Sequence, residues 1–161
     1  MKTKTLVLLA LFIAISFIGA NLKIAESIAF DSMAAFLGAL ILGPKYGAII
    51  GAAGHLLSAI TSGFPYSVPV HLIIMVEMAL TMYVFGSLYK LFSKKNITLA
   101  TILSSIVAVI LNGPISVLIL IPIMGIGIAA MIPVLSFDAF LNVFIAFLIY
   151  NLLPKSIKQW K

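Results

Sequence analysis

Six polar side chains lie within long apolar runs, and they are where this chain could do chemistry: His55, His71, Glu77 and Asp138, with the amides Asn112 and Asn142. Ionisable groups in a hydrocarbon setting are costly and face cavities or partners. Their spacing argues for binding over catalysis. There is no H-E-x-x-H motif, no close carboxylate pair and no arginine to grip a phosphate. On a helix His71 and Glu77 point about 240° apart, so they are no metal pair. Cysteine is absent, which removes a thiolate nucleophile, a thiolate metal site and any disulfide. His71 instead shares its face with Met75, Met78 and Met82. Such a soft apolar stripe can pack a flat ring or simply fill a core. We therefore expect neither a catalytic group, nor a metal, nor a cofactor.

The elements that position these groups follow from composition. Of 161 residues, 63% are hydrophobic and 9% charged, against roughly 25% charged in soluble domains. With a mean hydropathy of +1.28, the chain reads as an integral membrane protein. Continuous apolar runs, rather than alternating residues, exclude a β-barrel.

The first run, residues 5–20, follows Lys2 and Lys4 and resembles a signal peptide, but serves better as a first span because the rest of the chain is equally apolar. Ala10 and Ala14 lie four apart on one face of it, with Ser16 and Gly19 nearby. Small residues at this spacing admit a close helix, and ordinary packing inside the bundle is the simpler reading. Residues 21–31 form a connection. Span 2 (32–42) is short and ends at Gly43-Pro44-Lys45. Gly38 to Lys45 faintly resembles a phosphate-binding loop, but Pro44 breaks the glycine-lysine pair and no strand precedes it.

In span 3 (46–59), Gly47, Gly51, His55, Ser58 and Ser62 recur on one helical face, which should point inward. A loop from Thr61 to Pro69 carries Phe64 and Tyr66, fitting the membrane interface or a lid over a ligand. Span 4 (70–89) leads to a basic loop (90–96), and span 5 covers 97–120. Residues 121–133 are apolar but broken by proline and glycine, as in a re-entrant or buried loop. Span 6 (134–153) precedes a basic tail.

The expected fold is thus all-α: one domain, 1–161, a compact bundle of six transmembrane helices. All ten basic residues are lysines, giving a net charge of +6. They sit at span ends, which favours a topological role over nucleic-acid binding. Six spans place every lysine on one side except Lys23, so both termini are expected in the cytoplasm. His71, Asn112, Asp138 and Asn142 then map to the outer half, around a pocket shared by spans 4, 5 and 6, with Glu77 deeper.

Across its whole length the chain resembles the S components of energy-coupling-factor (ECF) vitamin transporters. The matching points are Ala10-x-x-x-Ala14, Gly43-Pro44-x-x-Gly47, Gly51-x-x-Gly54-His55, Ser62-Gly-Phe-Pro65, Pro69-x-His71 and Glu77-Met78. The last three together resemble the S component for α-ribazole, a cobalamin precursor. The resemblance implies a substrate-binding subunit of an ATP-driven importer in the bacterial cytoplasmic membrane, with lipid around it. Its partners would be a coupling membrane subunit, docked at Ala10 and Ala14, and two cytoplasmic ATPases. It also implies a substrate on the outer side, under the first and third outward loops, and toppling of the subunit during turnover. On that basis Phe64, Tyr66, Met75 and Met78 would stack the dimethylbenzimidazole ring. Asn112, Asp138 and Asn142 would take the ribose hydroxyls, with His55 and His71 as donors or acceptors. Glu77 would bond a polar edge or tie helix 4 to helix 3. Alternatives are an S component for a thiamin precursor or pantothenate, or a small intramembrane enzyme or assembly factor.

Overall fold

A short helix in the middle of the bundle sets the architecture. In the computed structural model, which describes residues 3–21 and 29–158, the order is α1 (Thr3–Asn21), α2 (Asp31–Leu42), α3 (Pro44–Thr61), α4 (Val68–Phe92), α5 (Ile97–Ile110), α6 (Ser116–Met124), α7 (Ile132–Leu152) and α8 (Lys155–Lys158). A 12-residue helix such as α2 is about 18 Å long, well short of a hydrocarbon core of about 30 Å. It lies in the middle of the bundle, packed by α1, α3, α4 and α7. Every residue from Ala34 to Ile41 is buried, as expected of a helix that is apolar all round. Phe36 meets Phe85 of α4 edge to face, with ring centroids 4.9 Å apart.

Small residues allow this close packing. Gly43 turns the chain from α2 into α3 at φ 102°, in the left-handed region that glycine alone enters freely. Pro44 then starts α3, where its missing N–H costs nothing. A Cβ on Gly47 would run into the backbone and side chain of Ala39, and one on Gly54 would collide with Ser16 of α1. The glycine face read from the sequence therefore holds α3 against α1, α2 and α4.

Among the described residues four stretches are long and apolar enough to cross a membrane: α1, α4, Ile97–Met124 and Ile126–Leu152. The third is continuous because α5 passes into α6 through a π-helical turn, Leu111–Ile115, that contains Pro114. Proline has no N–H for the α-helical bond, and the wider turn accommodates the gap. Beside it, Gly113 lets α7 approach so closely that a Cβ would stand 2.9 Å from Ser136 Cα. Large apolar side chains such as Leu6, Leu11, Leu80, Ile102, Phe140 and Phe144 cover the outside, a surface suited to lipid and not to water.

Residues 121–133 differ from the expected re-entrant or buried loop. α6 runs through Pro122 to Met124, Gly125 turns at φ 80°, and a 3₁₀ segment (Ile126–Met131) leads into α7. None of the 3₁₀ residues is buried. Proline and glycine here shape a short helical turn at the surface.

Candidate functional site

Because α2 is short, its N-terminus ends inside the bundle and its first-turn N–H groups need partners there. α7 supplies them. Asn142 is fully buried. Its Oδ1 accepts from Met33 N–H at 2.8 Å while its Nδ2 donates to Ala29 C=O at 2.8 Å. Those two backbone groups, four residues apart, would bond each other in a continuing helix, so the Asn142 amide is spliced into the helical ladder like an extra peptide unit. Asp138, one turn earlier, accepts from Ala29 N–H at 3.0 Å through Oδ1 and from Asn142 Nδ2 at 3.2 Å. Asp31 Oδ1 accepts from the Ser32 N–H, and the Asp31 carbonyl accepts from Ser16 Oγ at 2.7 Å. The start of α2 is thus clamped from α1 and α7 at once.

α2 and α3 form a hairpin about Gly43, and His55 lies as far beyond that turn as Asp31 lies before it. His55 Nδ1 faces Asp31 Oδ2 at 3.9 Å. Its Nε2 is 3.1 Å from His71 Nδ1, and His71 Nε2 is 2.8 Å from the Pro65 carbonyl. A carbonyl only accepts, so His71 carries its proton on Nε2, its Nδ1 accepts, and His55 donates through Nε2. The result is a row in which His55 donates to His71 and His71 to the Pro65 carbonyl, with the Asp31 carboxylate close to the far nitrogen of His55 but outside hydrogen-bond reach. Phe64 meets His71 edge-on at 5.8 Å.

The loop that carries Phe64 is built by recognisable capping. Gly63 N–H bonds Ile60 C=O and Phe64 N–H bonds Ala59 C=O, the double closure of a helix ending on a left-handed glycine. Ser67 then caps α4 by accepting from Val70 N–H. Phe64 at φ 51° and Tyr66 at φ 71° are also left-handed, a strained conformation for non-glycine residues that clusters at ligand-contacting segments. Tyr66 is 84% exposed.

The sequence carries the signature of ECF transporter substrate-specific components over residues 4–156. The chain belongs to that family. No curated protein and no solved structure matches it. ECF S components are substrate-binding transporter subunits rather than enzymes, and they act on a small molecule with a module of membrane and ATPase subunits.

In this S component His55, His71 and Phe64 meet at one end of the bundle, next to the α2 terminus held by Asp138 and Asn142. The remaining expected site residues stand apart from that row. Met78, with Met82, is buried in the core, so that part of the methionine stripe packs helices, while Met75 is only partly covered. Glu77 bonds Thr81 in its own helix at 2.7 Å rather than reaching α3, and its Oε2 is buried without a partner. It lines an apolar groove of about 410 Å³ between α4 and the α5–α6 rod. Asn112 sits half-buried in the π-helical turn.

Asp31 is not among the expected site residues, because it falls in the connection read over residues 21–31. Its one signal was position: its distance from the Gly43 turn equals that of His55. Ala10 and Ala14 are exposed, whereas Ser16 and Gly19 on the opposite face of α1 are buried. The simpler reading of the alanines as internal packing is therefore corrected. Lys23 lies outside the described residues.

Proposed function

We propose that this S component captures α-ribazole from outside a bacterial cell for ATP-driven import. The observation that carries the reading is the Asp31–His55–His71 row beside Phe64. It lies at the bundle end opposite Lys45, Lys90 and Lys94, which gather at the other ends of α3 and α4. With lysines in the cytoplasm, that row faces outward and both termini lie inside. The six spans are then α1, α2, α3, α4, the α5–α6 rod and α7, in one domain.

α-Ribazole joins a flat apolar dimethylbenzimidazole to a ribose, and such a ligand asks for an aromatic wall and a few fixed polar groups. Phe64 and Tyr66 supply the wall, His71 turns its Nε2–H from the Pro65 carbonyl to the ring nitrogen with His55 bonded behind it, and Asp31 accepts from ribose hydroxyls. Asp138 and Asn142 act one step back by fixing the α2 terminus. Asn112, Met75, Met78 and Glu77 complete the inner side only if α4 and the α5–α6 rod move together. The choice of α-ribazole rests on the combined Ser62-Gly-Phe-Pro65, Pro69-x-His71 and Glu77-Met78 pattern. Two acids beside the imidazoles disfavour a carboxylate ligand such as pantothenate.

Calorimetry of the purified chain in detergent with α-ribazole, thiamin, biotin and pantothenate tests this. One-to-one binding of α-ribazole alone, weakened at least tenfold by His71→Ala, is the expected result. Selective binding of another compound would discard the substrate, and no binding from folded protein would discard the capture role.

A further inference from the structure

At the end of the bundle away from the histidine row, the α2–α3 turn and the last turns of α4 enclose a cleft of about 550 Å³. Tyr83, Ser87, Lys90 and Lys94 project into it from α4 and the residues just beyond, at spacings of four, three and four, so they lie on one helical face. Lys45 and Tyr46 enter from the first turn of α3, whose N-terminal end adds partial positive charge. The far wall is tight: a Cβ on Gly86 would lie 3.0 Å from Pro44 Cα, so the cleft has a fixed floor.

Among the described residues no acid lies within salt-bridge distance of the three lysines here, and the one close approach of a basic side chain to a carboxylate is that of His55 to Asp31, at the opposite end. A cleft with three cations, two phenols and a hydroxyl has the chemistry of a phosphodiester site. Its surroundings select the source of the phosphate. Leu91, on its rim, is 65% exposed, and Ile49 and Leu80 continue an apolar surface toward the middle of the bundle. A headgroup in the cleft would lay its acyl chains along that surface, whereas a soluble anion would leave the surface unused.

We propose that this cleft binds the headgroup of an anionic phospholipid, with Lys45, Lys90 and Lys94 on the phosphate and Tyr46 and Tyr83 at the glycerol level. The site is distinct from the substrate row and independent of which substrate is captured. It anchors the lysine end of the bundle to one leaflet by a specific contact and not by net charge alone. Basic pockets between spans on the cytoplasmic side suit such headgroups.

The test is native mass spectrometry of the full chain in detergent with phosphatidylglycerol or phosphatidylcholine added. The variants are Lys45→Gln/Lys90→Gln/Lys94→Gln and a charge-matched control, Lys4→Gln/Lys155→Gln/Lys158→Gln. Thermal melting checks that each is folded, and Lys90→Gln/Lys94→Gln replaces the triple variant if it melts early. At about fivefold per lysine, the cleft variant should lose phosphatidylglycerol affinity on the order of a hundredfold, while the control keeps it. Equal loss in both variants would reduce the effect to net charge and overturn the proposal. So would displacement of the lipid by millimolar inorganic phosphate, which would assign the cleft to a soluble anion. Unchanged lipid binding in the cleft variant, with loss of the ATPase module on purification, would make it a protein contact instead.

Discussion

Replacing Asn142 by alanine removes the spliced amide at the start of α2. Met33 N–H loses a 2.8 Å acceptor and Ala29 C=O a 2.8 Å donor, both at the part-buried junction of α2 and α7. Each buried polar group left unpaired costs about 1–3 kcal/mol, partly relieved if the two close on each other. The expected net loss is about 2–4 kcal/mol. Unfolding in mixed detergent micelles measures the loss, and amide hydrogen exchange locates it. Protection should fall at residues 29–33 and be retained within the α5–α6 rod. Asn142→Asp keeps the acceptor for Met33 and should cost less in exchange at that amide, although it places a second carboxylate beside Asp138. An Asn142→Ala protein with an unchanged unfolding midpoint and unchanged protection at 29–33 would refute the clamp.

Gly47→Ala should destabilise the chain by about 1–3 kcal/mol, because the new methyl meets Ala39 backbone, 2.8 Å from its Cα. Gly127→Ala, with open space around it, should leave the unfolding midpoint unmoved. Ala10→Trp and Ala14→Trp, both on the exposed face of α1, should leave melting and substrate affinity intact while abolishing copurification with the ATPase module. Retained copurification would remove that face as the docking surface. Tyr66→Gly relieves a left-handed φ of 71°, worth about 1–2 kcal/mol, and loses about 0.5–1 kcal/mol to glycine's chain entropy. Stability should therefore change little while substrate affinity drops, and unchanged affinity would mean that Tyr66 serves only the membrane interface.

Much of the fold was legible because a bilayer leaves few options. The apolar runs, the turn at Gly43-Pro44 and the glycine spacing of α3 each carry a local physical signature, and α1, α4, α5–α6 and α7 follow those runs. The depth of α2 was not legible. A twelve-residue helix, apolar after its first two residues, is equally consistent with a truncated span and with a buried core helix, and only the neighbours decide. That tertiary fact also hid Asp31, which comes beside His55 because α2 begins level with the middle turns of α3 rather than with its end. Periodicity placed Met78 on the His71 face but could not tell whether that stretch of the face meets a ligand or a core. The amides of Asn112 and Asn142 looked alike in sequence. One rests in a π-helical turn and the other completes a helix, a difference set by which backbone stands opposite.

Site-directed labelling tests the outward-facing capture site most directly, helped by the absence of cysteine. Ser62→Cys lies in the loop after α3 next to the histidine row, and Ser93→Cys follows α4 at the lysine end. In intact cells a membrane-impermeant maleimide should label Ser62→Cys and spare Ser93→Cys, and α-ribazole should slow the first reaction. Labelling at Ser93→Cys alone, or labelling at Ser62→Cys that α-ribazole does not affect, would contradict it.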